Sequence, residues 1–223
     1  MMKHIFTGLL LLILTGSAFA QYNQRPNYGF RLGLTASPTI GWAKPETGKS
    51  NGINLGFSYG LLADFNFAEN YSFSTGLTIT TINGKTTEIN PSPYATGVTE
   101  PTAYDLKYML QYVEIPLTLK LKTDKVEGMR WYGQFGLSND FNIGARQDVE
   151  LDGKSVAKDI GIKKDINFYR AGLIIGGGVE YDVARSTSVA AGLTFNNGFT
   201  DISDDKNRSV RNHYLGITLG VFF

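Results

Sequence analysis

A period of two constrains this chain more than any other feature. Ile53, Leu55, Phe57, Tyr59, Leu61, Ala63, Phe65 and Phe67 alternate with Asn54, Gly56, Ser58, Gly60, Leu62, Asp64 and Asn66. Successive side chains of a strand point to opposite faces, so such alternation marks a strand with one apolar face. Eight runs share the pattern: 28–42, 53–67, 71–84, 106–121, 129–145, 166–182, 187–200 and 210–223. Each is long enough to cross an apolar layer as a tilted strand, which takes about 9–11 residues. The last run places Leu215, Ile217, Leu219, Val221 and Phe223 on one face. An apolar strand left as a free edge invites aggregation, whereas a closed barrel pairs its last strand with its first. The expectation is an all-β, eight-stranded antiparallel up-and-down transmembrane β-barrel. Its last run should close on the first, with Phe223 outward at the rim.

Residues 1–20 combine the basic start Lys3-His4, a short apolar run from Ile5 to Leu14, and Ala18-Phe19-Ala20. This reads as a secretory signal peptide cut near Ala20, leaving 21–223 as one barrel domain. There is no cysteine, so something other than disulfides must give this exported chain rigidity, and barrel closure can do so. No apolar run of 18 residues follows the signal, which excludes a helical span. The 21 basic and 20 acidic residues nearly cancel, leaving no field to attract nucleic acid.

Connections alternate in length. Ala68–Asn70, Thr123–Gly128 and Val183–Ser186 are short, while 44–52, 85–105, 146–165 and 201–209 are longer. Short periplasmic turns opposite long external loops are the asymmetry of an outer-membrane barrel. Two details disturb the pattern. Leu106, Tyr108, Leu110 and Tyr112 share one phase and Val113, Ile115, Leu117, Leu119 and Leu121 the other, which suggests a β-bulge near Tyr112. Pro38 and Pro116 lack an amide donor, so each should sit at a bulge or a locally opened ladder.

With the apolar face toward lipid, the lumen receives Arg31, Asp64, Glu114, Lys120, Lys122, Arg130, Asp140, Arg170, Glu180 and Asp182. Five cations and five anions suggest ion pairs bridging the strands. Eight strands enclose a space that side chains can fill, so a packed polar core is favoured over a wide pore. Inward glycines such as Gly60, Gly136 and Gly178 would leave room for the long charged chains. Aromatic residues gather near strand ends: Tyr28, Phe30, Trp42, Phe65, Phe67, Tyr71, Phe73, Trp131, Tyr169, Tyr181 and Phe223. Rings of this kind favour the lipid headgroup level.

Sites for chemistry are sparse. Past the signal, His213 is the only histidine, so a multi-histidine metal site is impossible. A hydrolase would have to combine His213 with Ser203, Asp204, Asp205 or Ser209, but Asp- and Ser-rich loops beside a strand are ordinary turn chemistry. Asp148-Val149-Glu150-Leu151-Asp152-Gly153, with Asp159, is an imperfect match to an EF-hand loop. A hairpin turning at Asp152-Gly153 is the favoured reading and Ca²⁺ binding across 148–159 the alternative. No cofactor is expected.

The segment Tyr112-Val113-Glu114-Ile115-Pro116-Leu117-Thr118-Leu119-Lys120-Leu121-Lys122 resembles the Y-[VL]-E-I-P-L-x-L-K stretch of the PorT-like outer-membrane β-barrel proteins of Bacteroidota. Tyr132-Gly133-Gln134-Phe135-Gly136-Leu137 and Phe30-Arg31-Leu32-Gly33-Leu34 are similar to further parts of that family. The resemblance implies an eight-stranded barrel in the outer membrane, without catalytic residues, whose namesake is associated with a protein secretion apparatus. Resemblance to other outer-membrane barrels marks the aromatic Phe223 as a signal to the barrel-assembly machinery. The expected partners are outer-membrane lipid, that machinery during insertion, and components of a secretion apparatus or surface proteins. The reading is therefore a non-enzymatic structural, assembly or interaction protein, with a narrow solute or ion channel as the alternative.

Overall fold

The computed structural model describes residues 29–46, 48–91, 94, 97–204 and 209–223. The signal segment, Tyr28 and Asp205 lie outside them. Among the described residues ten strands follow one another: β1 (Phe30–Pro45), β2 (Lys49–Ser50), β3 (Asn54–Ala68), β4 (Tyr71–Ile89), β5 (Ala103–Lys122), β6 (Met129–Leu151), β7 (Lys154–Gly161), β8 (Tyr169–Asp182), β9 (Ser188–Gly198) and β10 (Val210–Phe222). Eight of them form a closed antiparallel ring in the order β1-β3-β4-β5-β6-β8-β9-β10. The other two, β2 and β7, are short additions that pair with β4 and β6 in the long connections.

The ring closes between β10 and β1, from Gly33 opposite Phe222 to Pro45 opposite Val210. Phe223 exchanges backbone hydrogen bonds with Leu32 at 2.7 and 3.2 Å, and its side chain is exposed. Pro38 sits where the β1–β10 ladder lapses between Ala36 and Thr39, with no shift in register. There the Ser37 hydroxyl donates to the Ile217 carbonyl at 2.9 Å, supplying a hydrogen bond that Pro38 has no amide to make. Pro116 falls in a similar lapse between Thr75–Leu117 and Thr78–Glu114 in the β4–β5 ladder.

The bulge expected near Tyr112 is present between Gln111 and Tyr112 of the β5–β6 ladder, with one correction: its surplus residue is not in the 106–121 segment. β5 keeps one register against β4 on both sides of the lapse at Pro116, and every even-numbered side chain from Tyr104 to Lys122 points inward. The surplus residue belongs to β6 instead: Gln111 pairs with Gly144 and Tyr112 with Asn142, leaving Ile143 unmatched. What changes at Tyr112 is the chemistry of the faces. From Val113 to Leu121 the outward residues of β5 are apolar, whereas Asp105, Lys107 and Gln111 point outward beyond them.

The same change runs through β4 and β6, where Lys85, Arg146, Asp148 and Glu150 are outward. The barrel thus has two storeys. Near the short turns an apolar belt including Phe30, Leu61, Phe65, Trp131, Leu193 and Leu219 covers the outside. Near the long loops Ile82, Leu106, Tyr108, Leu110, Val149, Ile202 and Val210 are buried within a separate apolar core.

The mouth beside this core is pinched. A Cβ on Gly41 of β1 would stand 2.4 Å from the Asn83 carbonyl oxygen of β4, and one on Gly84 would stand 2.7 Å from Ala43. β4 therefore leans across β3 onto the inner face of β1, an approach that only glycine permits. Asp152 and Gly153, with φ of 50° and 73°, make the two-residue turn between β6 and β7. Two successive positive φ angles are what such a tight hairpin requires.

Candidate functional site: the lumen

Inward-facing polar residues form two clusters stacked along the barrel axis. The lower one, at the short-turn end, is built from the ends of β1, β3, β5, β6 and β8. Asp64 accepts Arg31 at 2.8 Å, Lys120 at 3.2 Å and the Ser74 hydroxyl at 2.6 Å. Glu180 meets Lys120 at 2.5 Å, Arg31 at 3.2 Å, and both Nε and Nη2 of Arg130 at 2.9 Å. Lys122 reaches Asp64 only at 3.7 Å and donates to the Asn66 side-chain carbonyl at 3.1 Å. The Lys120 ammonium also lies 4.5 Å from the Tyr132 ring centre and 4.7 Å from that of Phe222. These aromatic faces lend further negative potential to an ammonium whose side chain is only 3 % exposed.

The upper cluster centres on Arg170, which is 1 % exposed. Its guanidinium pairs with Asp140 and donates to the side chains of Asn212 and Asn196 and to the Asn212 carbonyl. Ser138 bonds to Asp140 and receives the Asn196 amide. The Tyr214 hydroxyl donates to Glu114 at 2.9–3.0 Å. β5 and β10 stand opposite each other in the ring, so this last bond spans the lumen. Between the clusters lies a cavity of about 70 Å³ lined mainly by hydroxyls, among them Ser37, Ser58, Thr78, Thr194 and Thr218. A space of that size holds a few water molecules.

Nine of the ten charged residues singled out in the sequence are thus brought into these two clusters. Asp182 is the exception. It pairs with Lys125 of the adjoining turn, at the partly exposed rim. The charges are also not evenly matched: the lower cluster has four cations on two carboxylates, while above it Arg170 accompanies Asp140 and Glu114. Sequence counting could not show this, because it gives no axial position. Asn196, Asn212 and Tyr214 complete the upper cluster, and sequence reasoning misses them because uncharged polar residues carry little signal on their own.

Of the remaining candidates, those among the described residues have local partners of their own. His213 packs against Trp42 with ring centres 5.7 Å apart, and its Nδ1 makes no hydrogen bond. Asp201 accepts the backbone amides of Ser203 and Val210, an ordinary loop anchor. Both carboxylate oxygens of Asp159 are taken by Arg146, and Asp148 accepts the Asp159 amide. Among the described residues no three His, Cys, Asp or Glu side chains converge on a metal position.

A family model described as outer membrane protein beta-barrel domain matches residues 19–204. No curated protein matches the chain. Among solved structures the chain is similar to Neisserial surface protein A, at 16 % identity over 86 % of this chain and 95 % of that one, with a TM-score of 0.47. It is also similar to OprG from Pseudomonas aeruginosa, at 12 % identity, 87 % and 96 % coverage, and a TM-score of 0.47. A major outer membrane protein of Thermus thermophilus gives 12 % identity, 88 % and 99 % coverage, and a TM-score of 0.44.

Proposed function

The chain belongs to the outer membrane protein beta-barrel domain family, and from that premise we propose that it is a sealed, non-enzymatic barrel that holds a folded external storey at the cell surface. Membership of the family implies an outer-membrane location, with the short turns toward the periplasm. Cleavage near Ala20 would release the chain for insertion, and Phe223 would serve as its recognition signal for the assembly machinery.

One observation carries the reading. The lumen is blocked twice by side chains that hold each other, and the apolar core caps it again at the loop end. Ion passage would require buried, hydrogen-bonded charges to separate, at a cost of several kcal/mol for each pair broken. What remains available to partners is the external storey and the periplasmic turns. Within the family, the likeness of 112–122 to the PorT-like segment favours a structural or assembly role linked to protein secretion. Co-purification of secretion components from native outer membranes would support that finer assignment.

The hydroxyl-lined cavity between the clusters favours a second reading, a narrow channel that opens when one cluster rearranges. Planar-bilayer recording separates the two. The purified protein should give a flat trace in molar KCl, and steady, voltage-independent unit openings would sink the sealed-barrel reading.

A further inference from the structure

The lower cluster carries more positive charge than its own carboxylates neutralise. Arg31, Lys120, Lys122 and Arg130 share Asp64 and Glu180, a surplus of two cations inside a narrow lumen. An uncompensated buried charge is costly, and it is relieved either by losing a proton or by gaining a counter-ion. The layering of the cluster favours the counter-ion. Both carboxylates are fully buried, whereas the Arg31 and Arg130 side chains retain 18 % and 15 % of their exposure.

An anion entering from the short-turn end therefore meets guanidinium groups first, with the carboxylates hidden behind them. Arg31 also keeps its Nε buried without a hydrogen-bond partner. Lys122, with its carboxylate contact at 3.7 Å, is the least compensated of the four. We propose that this end of the lumen is a binding site for an oxyanion, a phosphate group held by Arg31, Arg130 and Lys122. Guanidinium groups suit such a ligand because they present parallel N–H donors to its oxygens. Free phosphate and the phosphate of an anionic lipid headgroup share this chemistry.

The mature chain, folded in an uncharged detergent, is titrated with inorganic phosphate against chloride at matched ionic strength. NMR then follows the Arg31 Nε–H resonance and the Lys122 ammonium. Phosphate should shift the Arg31 signal saturably, and Lys122→Gln should weaken that affinity about tenfold, the worth of one charge-assisted hydrogen bond. Lys125→Gln, whose partner Asp182 lies outside the cluster, should leave it unchanged.

A second arm dopes the micelles with phosphatidylglycerol. A shift produced by the lipid and not by free phosphate makes the ligand a headgroup, and the reverse makes it the free ion. If neither probe moves the Arg31 resonance of the unaltered protein, the proposal is overturned. This measurement needs no variant, so a misfolded Lys122→Gln protein does not rescue it. A Lys122 amine found neutral at pH 7, with no response to phosphate, overturns it equally.

Discussion

Along β5, Leu106, Tyr108 and Leu110 point into the barrel, while Leu117, Leu119 and Leu121 point out of it. One uninterrupted strand thus belongs to two environments. In its lower half the outward face is apolar, as lipid requires, and the interior is a lattice of ion pairs. In its upper half the outward face is polar, as water requires, and the interior is apolar. The strand geometry is identical in both, so the solvent on each side decides which face must be apolar. The difference teaches that stability is held differently in the two storeys: below by charge pairing and backbone closure, above by the burial that supports any soluble domain.

Substitutions chosen by storey should break or sharpen this contrast. The largest effect is expected from Arg170→Ala, which leaves Asp140 buried and unpaired at a cost of about 3–5 kcal/mol. Urea unfolding in lipid vesicles measures it. The double change Arg170→Met with Asp140→Leu should recover part of the loss, because the Asp140 carboxylate is gone and Glu114 keeps the Tyr214 hydroxyl. Next comes Leu106→Ala, in the apolar upper core, at about 2–5 kcal/mol. Its loss should appear as faster amide exchange in the external loops, with heat-modifiable migration on unboiled gels unchanged. A loss of that migration would show that the storeys do not fold separately.

On the outer face, Leu117→Arg should cost about 2–4 kcal/mol if Leu117 faces the middle of the bilayer. Met109→Arg, eight residues earlier on the same face of β5, should stay within about 0.5 kcal/mol. Equal effects at the two positions would erase the boundary placed between them. The smallest change is Asp159→Asn. Its pair with Arg146 is well exposed, so no more than about 1 kcal/mol should be lost, and less in high salt.

Much of the ring was legible because alternation survives wherever one face is apolar. Each of the eight wall strands contains most of one alternating run, although β4 and β6 continue to Ile89 and Leu151 into stretches expected to be loops, and the turn chemistry of Asp152-Gly153 marked the β6–β7 hairpin. The bulge was placed at the right height but on the wrong strand, for an instructive reason. At Tyr112 the apolar residues move from the inner to the outer face, and in a sequence an exchange of faces is indistinguishable from a slip of register. The true surplus in β6, around Ile143 and Gly144, fell among residues of mixed character that gave no contrast. The cation-rich lower cluster was hidden likewise: composition counts charges, but only the register of neighbouring strands sets their height in the lumen.

The unmatched Ile143 has a consequence for how the length of this wall can change. Elsewhere in a strand, deleting one residue exchanges the two faces for everything that follows, turning lipid-facing side chains inward. At Ile143 the count already exceeds the pairing by one. Deletion there would join Asn142 to Gly144 opposite Tyr112 and Gln111, leaving Ala145, Gln147 and Val149 inward and Arg146 outward as before. What would disappear is the local bend that a bulge imposes on its strand. The wall thus contains a position where a codon can be lost without inverting the storey above it.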